Sequence, residues 1–153
     1  MGDSQTYTPD SGVEAPAVRA AERVPTKLPQ GRGETVLLVE DETPVRNITL
    51  LLLEKLGYRV LEAANAEEAF SLVESGQAKI ELLLTDVIMP GTSGPELAAA
   101  LSRRDLGIKV LFQSGYTGEA VLRHANIKPD MAFLKKPFTL ANLAKKIREV
   151  LDL

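Results

Sequence analysis

The sequence predicts an α/β fold, a doubly wound five-stranded parallel sheet with five helices, over residues 35–153. Three observations predict it. Short, continuous apolar runs recur with the character of strands buried on both faces. Amphipathic stretches at helical spacing separate those runs, so strands and helices alternate as a parallel sheet requires. The acidic, hydroxyl and lysine residues gather where the runs end, at the carboxyl edge where such sheets carry their sites.

The elements follow in order. Thr35–Glu40, reading Thr-Val-Leu-Leu-Val-Glu, is a buried strand, and Thr43 with Pro44 reads as N-cap and first position of a helix closing near Gly57. Arg59–Ala63 is a second strand, after which Asn65 caps a helix running through Glu67 and Phe70 to about Gly76. Glu81–Asp86 is a third buried strand and leads into the turn-rich Val87–Gly91. Gly94 and Pro95 open a helix through Leu97 and Leu101. Ile108–Phe112 is a fourth strand, followed by a weaker helix from Gly118 to about Ala125. Met131–Leu134 is the fifth strand, and Leu140–Leu151 repeats apolar residues at helical spacing.

Residues 1–34 differ in texture. Four of the nine prolines (Pro9, Pro16, Pro25, Pro29) fall there among glycines, so this part reads as a flexible, proline-rich leader; Ala15–Arg23 has the pattern of a brief helix. The net charge of -3 supplies no basic face for nucleic acid and no polybasic patch for a membrane. With no cysteine and one histidine, His124, disulfide frameworks, thiolate sites, triads resting on several histidines and most zinc sites are excluded. No apolar stretch approaches membrane-spanning length and the start lacks a secretory signal, so the chain reads as soluble and cytoplasmic.

The predicted strand ends carry Glu40-Asp41-Glu42, Asp86, Gln113-Ser114-Gly115 and Lys135-Lys136-Pro137. Neighbouring carboxylates repel, and the arrangement makes sense chiefly when a cation neutralises it. A hard divalent ion suits the oxygen donors, magnesium best, since it takes one or two carboxylates and a phosphoryl oxygen. Simpler readings stand beside this one. Acidic residues are favoured at a helix N-terminus, a lone Asp before Pro-Gly is commonly a turn residue, and Ser-Gly is an ordinary loop signal. Lys135 and Lys136 also fit solvated charges, and Met89, Phe112, Phe133 and Phe138 fit core packing.

Four segments together, in this order, resemble the response-regulator receivers of two-component signalling: the acidic group after the first strand, Asp86 within Thr-Asp-Val-Ile-Met-Pro-Gly, Ser114 within Gln-Ser-Gly-Tyr, and Lys136-Pro137-Phe138. The resemblance spans about Glu34 to Leu153. It implies a flavodoxin-like strand order 2-1-3-4-5, Asp86 as the phosphoacceptor, and magnesium held by Glu40, Asp41, Asp86 and the Ile88 backbone carbonyl. It further implies that Lys136 and the metal stabilise charge on the phosphoryl oxygens, that Ser114 accepts a hydrogen-bonding role toward the phosphoryl group, and that the Lys136–Pro137 bond is cis. Phe133 would be the switch aromatic, following Ser114 inward and reshaping the face of the fourth predicted helix, the fifth strand and the last helix, which is also the family's usual homodimer surface. Tyr116 and Ile88 would form a bulky, uncharged entrance, and His124 an exposed helix residue.

The implied partners are a sensor histidine kinase, a histidine phosphotransfer protein, or both, with no contact to nucleic acid or membrane. Ser-Gly-Tyr, with Gly115 where many receivers have alanine, and the long leader are similar to receivers at the C-terminal end of hybrid histidine kinases; a stand-alone single-domain regulator is the alternative. A haloacid-dehalogenase-type phosphohydrolase would want a second acid where Ile88 stands. A flavodoxin would want a phosphate-cradling loop where Glu40, Asp41 and Glu42 stand.

Overall fold

The structure, a computed structural model, describes residues 28–76, 78–105, 107–115 and 131–153. The expected helices at Ala15–Arg23 and Gly118–Ala125, and the positions of Tyr116 and His124, lie outside the described residues. Among the described residues the elements are β1 (Thr35–Val39), α1 (Thr43–Lys55), β2 (Arg59–Ala63), α2 (Ala66–Ser75), β3 (Leu82–Asp86), α3 (Gly94–Arg104), β4 (Lys109–Ser114), β5 (Phe133–Lys135) and α4 (Leu140–Leu151). The five strands form one parallel sheet in the order β2-β1-β3-β4-β5, the expected topology.

Successive side chains of a strand project to opposite faces, and both faces of this sheet are covered. Leu37, Val39, Leu83 and Phe112 pack against α2 and α3 through Ala69, Leu97 and Leu101. Val36, Leu38, Leu84 and Leu111 pack against α1 and α4 through Leu53, Leu143 and Ile147. That is why Val36–Val39 in β1 and Leu82–Leu84 in β3 read as unbroken apolar runs: each of these residues meets one core or the other, and each buried leucine contributes about 1.5–3 kcal/mol.

Helix ends follow local chemistry. Asn65 caps α2 as expected, accepting from the Glu68 N–H at 2.9 Å, and Gly76 closes it in the left-handed region. The N-cap of α1 is Glu42, not Thr43, and Pro44 falls in the first turn. The Glu42 N–H donates to Glu40 at 3.1 Å, which keeps residue 42 extended and lets the helix begin one residue early. α3 is opened by a capping box in which Ser93 and Glu96 satisfy each other's backbone N–H groups. Gly94 then passes so close to the Asp86 carbonyl that a Cβ there would collide with it.

β5 is shorter than expected and displaced toward its carboxyl end. Met131 is exposed, and Ala132 contributes only its carbonyl to the Phe112 N–H at 3.0 Å before pairing begins at Phe133. β4 runs further than expected, so Gln113 and Ser114 are strand residues paired with Leu134 and Lys135.

Residues 28–34 pack against the sheet's first layer of helices. Leu28 joins the core under α1 and α4, and the Gly31 N–H donates to the Leu56 carbonyl at 2.6 Å. Gly31 lies against the Tyr58 ring, where a Cβ would come within 2.7 Å of Cδ1. The guanidinium of buried Arg148 ties this segment to α4, at 2.8 Å from Glu34 and 2.7 Å from Asp152.

Candidate functional site

Strand register brings the polar residues together. Val39 pairs with Thr85 and Asp86 with Gln113, so the residues that follow β1 and end β3 and β4 emerge at one level. Glu40 is fully buried at the end of β1, and Arg46 holds its carbonyl at 2.8 Å while ion-pairing with Glu62 at 3.1 Å. Asp86, 5% exposed, ends β3; Thr85 donates to the Asp86 carbonyl at 3.0 Å. Lys136 arrives from the loop after β5, its N–H bonded to the Ser114 carbonyl at 2.8 Å and its bond to Pro137 cis.

The Lys136 ammonium bridges Glu40 at 2.7 Å and Asp86 at 2.8 Å. One carboxylate oxygen each of Glu40, Asp41 and Asp86 lies within 4.8 Å of the others. Asp41 is exposed, so this oxygen set is open to solvent on one side.

Burial and repulsion set the charges. Loss of solvent pushes the Asp86 carboxyl up to about 8, and the adjoining Glu40 carboxylate adds to the rise while Lys136 opposes it. Burial disfavours the Glu40 carboxylate too. Hydrogen bonds from protonated Asp86, from Lys136 and from the Glu42 N–H outweigh that and hold Glu40 below its ordinary value. Lys136 loses solvation but gains both carboxylates, which hold it above the usual lysine value. Of the two carboxyls facing the ammonium, Glu40 thus gives up its proton more readily than Asp86. A divalent cation on Glu40, Asp41 and Asp86 would take the place of the Asp86 proton. The donors are all hard oxygens, as magnesium prefers, and the residues fit that ion.

These groups line a cleft of about 900 Å³, together with Ile88, Ser114 and the α1 face around Thr49. Ile88 is 48% exposed at its rim and Ser114 is buried in it. Lys135 is exposed and takes no part in the ion pairs that engage Lys136. Phe133 is not in the cleft; it pairs with Phe112 and packs half-buried against the α2 and α3 core.

Two residues of the site were not singled out from sequence. Arg46 sits in the first turns of α1, where an arginine reads as surface charge; only the strand order shows that it faces the ends of β1 and β2. Gln113 read as part of a strand exit, yet it is fully buried in the cleft wall. A polar residue inside an otherwise apolar strand run was the available signal.

The family model of the response regulator receiver domain matches residues 36–148. The chain is 35% identical over 139 residues to the sensor kinase CckA of Brucella abortus (strain 2308), covering 91% of this chain and 15% of that protein. It is 33% identical over 116 residues to the response regulator receiver protein CpdR of the same organism, covering 76% of this chain and 95% of CpdR. Among solved structures, the receiver domain of the hybrid histidine kinase CckA matches with a TM-score of 0.63 and 38% identity, over 76% of this chain and 98% of that one.

Proposed function

From the premise that the chain belongs to the response regulator receiver domain family, and is thus a signalling module of the two-component type, we propose that Asp86 is its phosphoacceptor. The observation that carries the reading is the buried Glu40–Lys136–Asp86 cluster beside the exposed Asp41 carboxylate. An Asp86 oxygen attacks the phosphorus of a partner phosphohistidine; the phosphorus–nitrogen bond breaks, the imidazole leaves, and an acyl phosphate forms on Asp86. Glu40, Asp41, Asp86 and the Ile88 backbone carbonyl would hold magnesium, which when bound supplies positive charge to the phosphoryl oxygens. Lys136 supplies a second cation from the protein, already placed at Asp86.

Ser114, buried in the same cleft, hydrogen-bonds the phosphoryl group. Phe133, whose packing lies on the far side of β4, follows Ser114 and alters the face around β5 and α4. The added charge of about -1.5 to -2 is large enough to draw both a hydroxyl and an ammonium inward. The same groups assist loss of the phosphoryl group to water, so the module turns itself off. Homodimerisation, where it occurs, uses the face of β5 and α4.

The whole-protein context we propose is a hybrid histidine kinase whose receiver segment lies in the cytoplasm, with residues 1–34 as leader and 35–153 as receiver, passing phosphate to or from a histidine phosphotransfer protein. Support comes from the CckA alignment, whose 139 residues exceed what Thr35 to the C-terminus holds and so enter the leader. Among the described residues no helix is long and apolar enough to cross a membrane.

Acetyl phosphate with and without magnesium, read by intact mass on wild type and Asp86→Asn, tests the reading. Magnesium-dependent addition of one phosphoryl group to wild type alone is expected; addition to both proteins equally would remove Asp86 from its role.

A further inference from the structure

Asp86, Gln113 and Leu134 are paired across β3, β4 and β5, so their side chains stand in one row on the α1 and α4 face of the sheet. Lys136 leaves the sheet two residues beyond Leu134 and places its ammonium 2.8 Å from Asp86 and 2.7 Å from Glu40. β4 lies between β5 and β3. The lysine therefore reaches Asp86 by crossing the end of β4 on the face where Gln113 projects, and both line the same cleft.

Gln113 is 0% exposed, and among the described residues neither Nε2 nor Oε1 has a hydrogen-bond partner. A buried amide without partners destabilises a fold, and an apolar side chain of the same shape would not. Such a group is explained by a state in which it is bonded. Lys136 has three N–H donors, and two are taken by Glu40 and Asp86. With a cation and a phosphoryl group bound, Glu40 and Asp86 would turn carboxylate oxygens to those groups, and both bonds to Lys136 would loosen. A neutral acceptor under the lysine would then keep the ammonium in place without adding a further negative charge to a cluster of three acids.

We propose that Gln113 is a positioning residue for phosphoryl transfer, its Oε1 accepting a hydrogen bond from the Lys136 ammonium when the site is loaded. The inference rests on Asp86 being the phosphoacceptor and extends that reading to a residue outside the acidic cluster.

Gln113→Met and Gln113→Leu are tested against wild type in three measurements: thermal melting without metal, the rate of acetyl phosphate modification at saturating magnesium, and the Lys136 ammonium resonance in 15N-lysine-labelled protein with magnesium and beryllofluoride. The expected result is a melting midpoint equal to or above wild type, a rate lowered about tenfold, and an ammonium signal shielded from solvent exchange in wild type but lost in both variants. Wild-type rates with unchanged ammonium protection overturn the proposal. A lowered melting midpoint in both variants also overturns it, because the amide would then be a contact of the resting fold. If wild type itself takes no phosphate, the Asp86 reading fails first; if wild type is modified and the variants match it, only the role of Gln113 fails.

Discussion

The Lys136 ammonium sits 2.8 Å from Oδ1 of Asp86, although 50 residues separate them in the chain. The contact exists because β3 and β5 flank β4 and Lys136 follows β5 directly. Lys136→Met should lower the magnesium-dependent phosphorylation rate roughly 10²-fold or more, the usual consequence of removing one charge-stabilising donor. Quenched-flow or mass-resolved kinetics with acetyl phosphate would measure it, and a loss under threefold would assign the lysine to structure alone.

The raised Asp86 carboxyl fixes a pH dependence. Its folded value of about 8 lies above the ordinary 3.8, so between those values the folded state binds more protons than the unfolded one. Stability of the metal-free protein from this group is therefore present at low pH and is lost as pH rises through about 8. Asp86→Asn removes that slope and should raise metal-free stability at pH 8 by about 1–3 kcal/mol. Urea unfolding at several pH values decides this; a wild-type slope that survives in the variant contradicts it.

Magnesium competes with the same proton, so its affinity should climb with pH across the range below about 8. Asp41 is exposed, and Asp41→Ala should weaken magnesium at least tenfold while moving stability by no more than about 0.5 kcal/mol. Calorimetric titration paired with metal-free melting separates the two effects. Unaltered magnesium affinity would take Asp41 out of the ligand set.

Arg148 makes a prediction remote from the cleft. It joins Glu34, Asp152 and Tyr58, and its removal leaves a mostly buried Glu34 without its guanidinium. Because Asp152 is half exposed, the cost of Arg148→Met is about 1–3 kcal/mol rather than the larger figure of a fully buried pair. Hydrogen exchange should show residues 28–34 opening in the variant, with the phosphorylation rate unchanged. Full protection of that segment in Arg148→Met would show that Gly31 and Leu28 hold it unaided.

Much of this was legible in the chain. β1 and β3 announce themselves because Val36–Val39 and Leu82–Leu84 are apolar without a break, as a sheet covered on both faces requires, and the Asn65 cap and Gly76 stop follow directly from residue type. The residues at the ends of β1, β3 and β4 emerge at one level because a parallel sheet leaves them only one edge. What sequence could not supply depends on packing across the sheet. The start of α1 moved by one residue because a Glu40 side chain bonds the Glu42 N–H. β5 moved because pairing with β4, and not hydropathy, decides where a short edge strand begins. Arg46 reveals itself only once strand order sets β2 beside α1's first turns, and the burial of Gln113 only once β4 lies between β3 and β5.

The most direct test of the account is to find where the phosphoryl group goes. Treating the acetyl-phosphate-modified protein with borohydride reduces an acyl phosphate to the alcohol, and peptide mass mapping then reads homoserine at the modified aspartate. The account predicts homoserine at position 86 alone, only in samples that held magnesium. Homoserine at position 41, or phosphate retained on a hydroxyl after reduction, would contradict it.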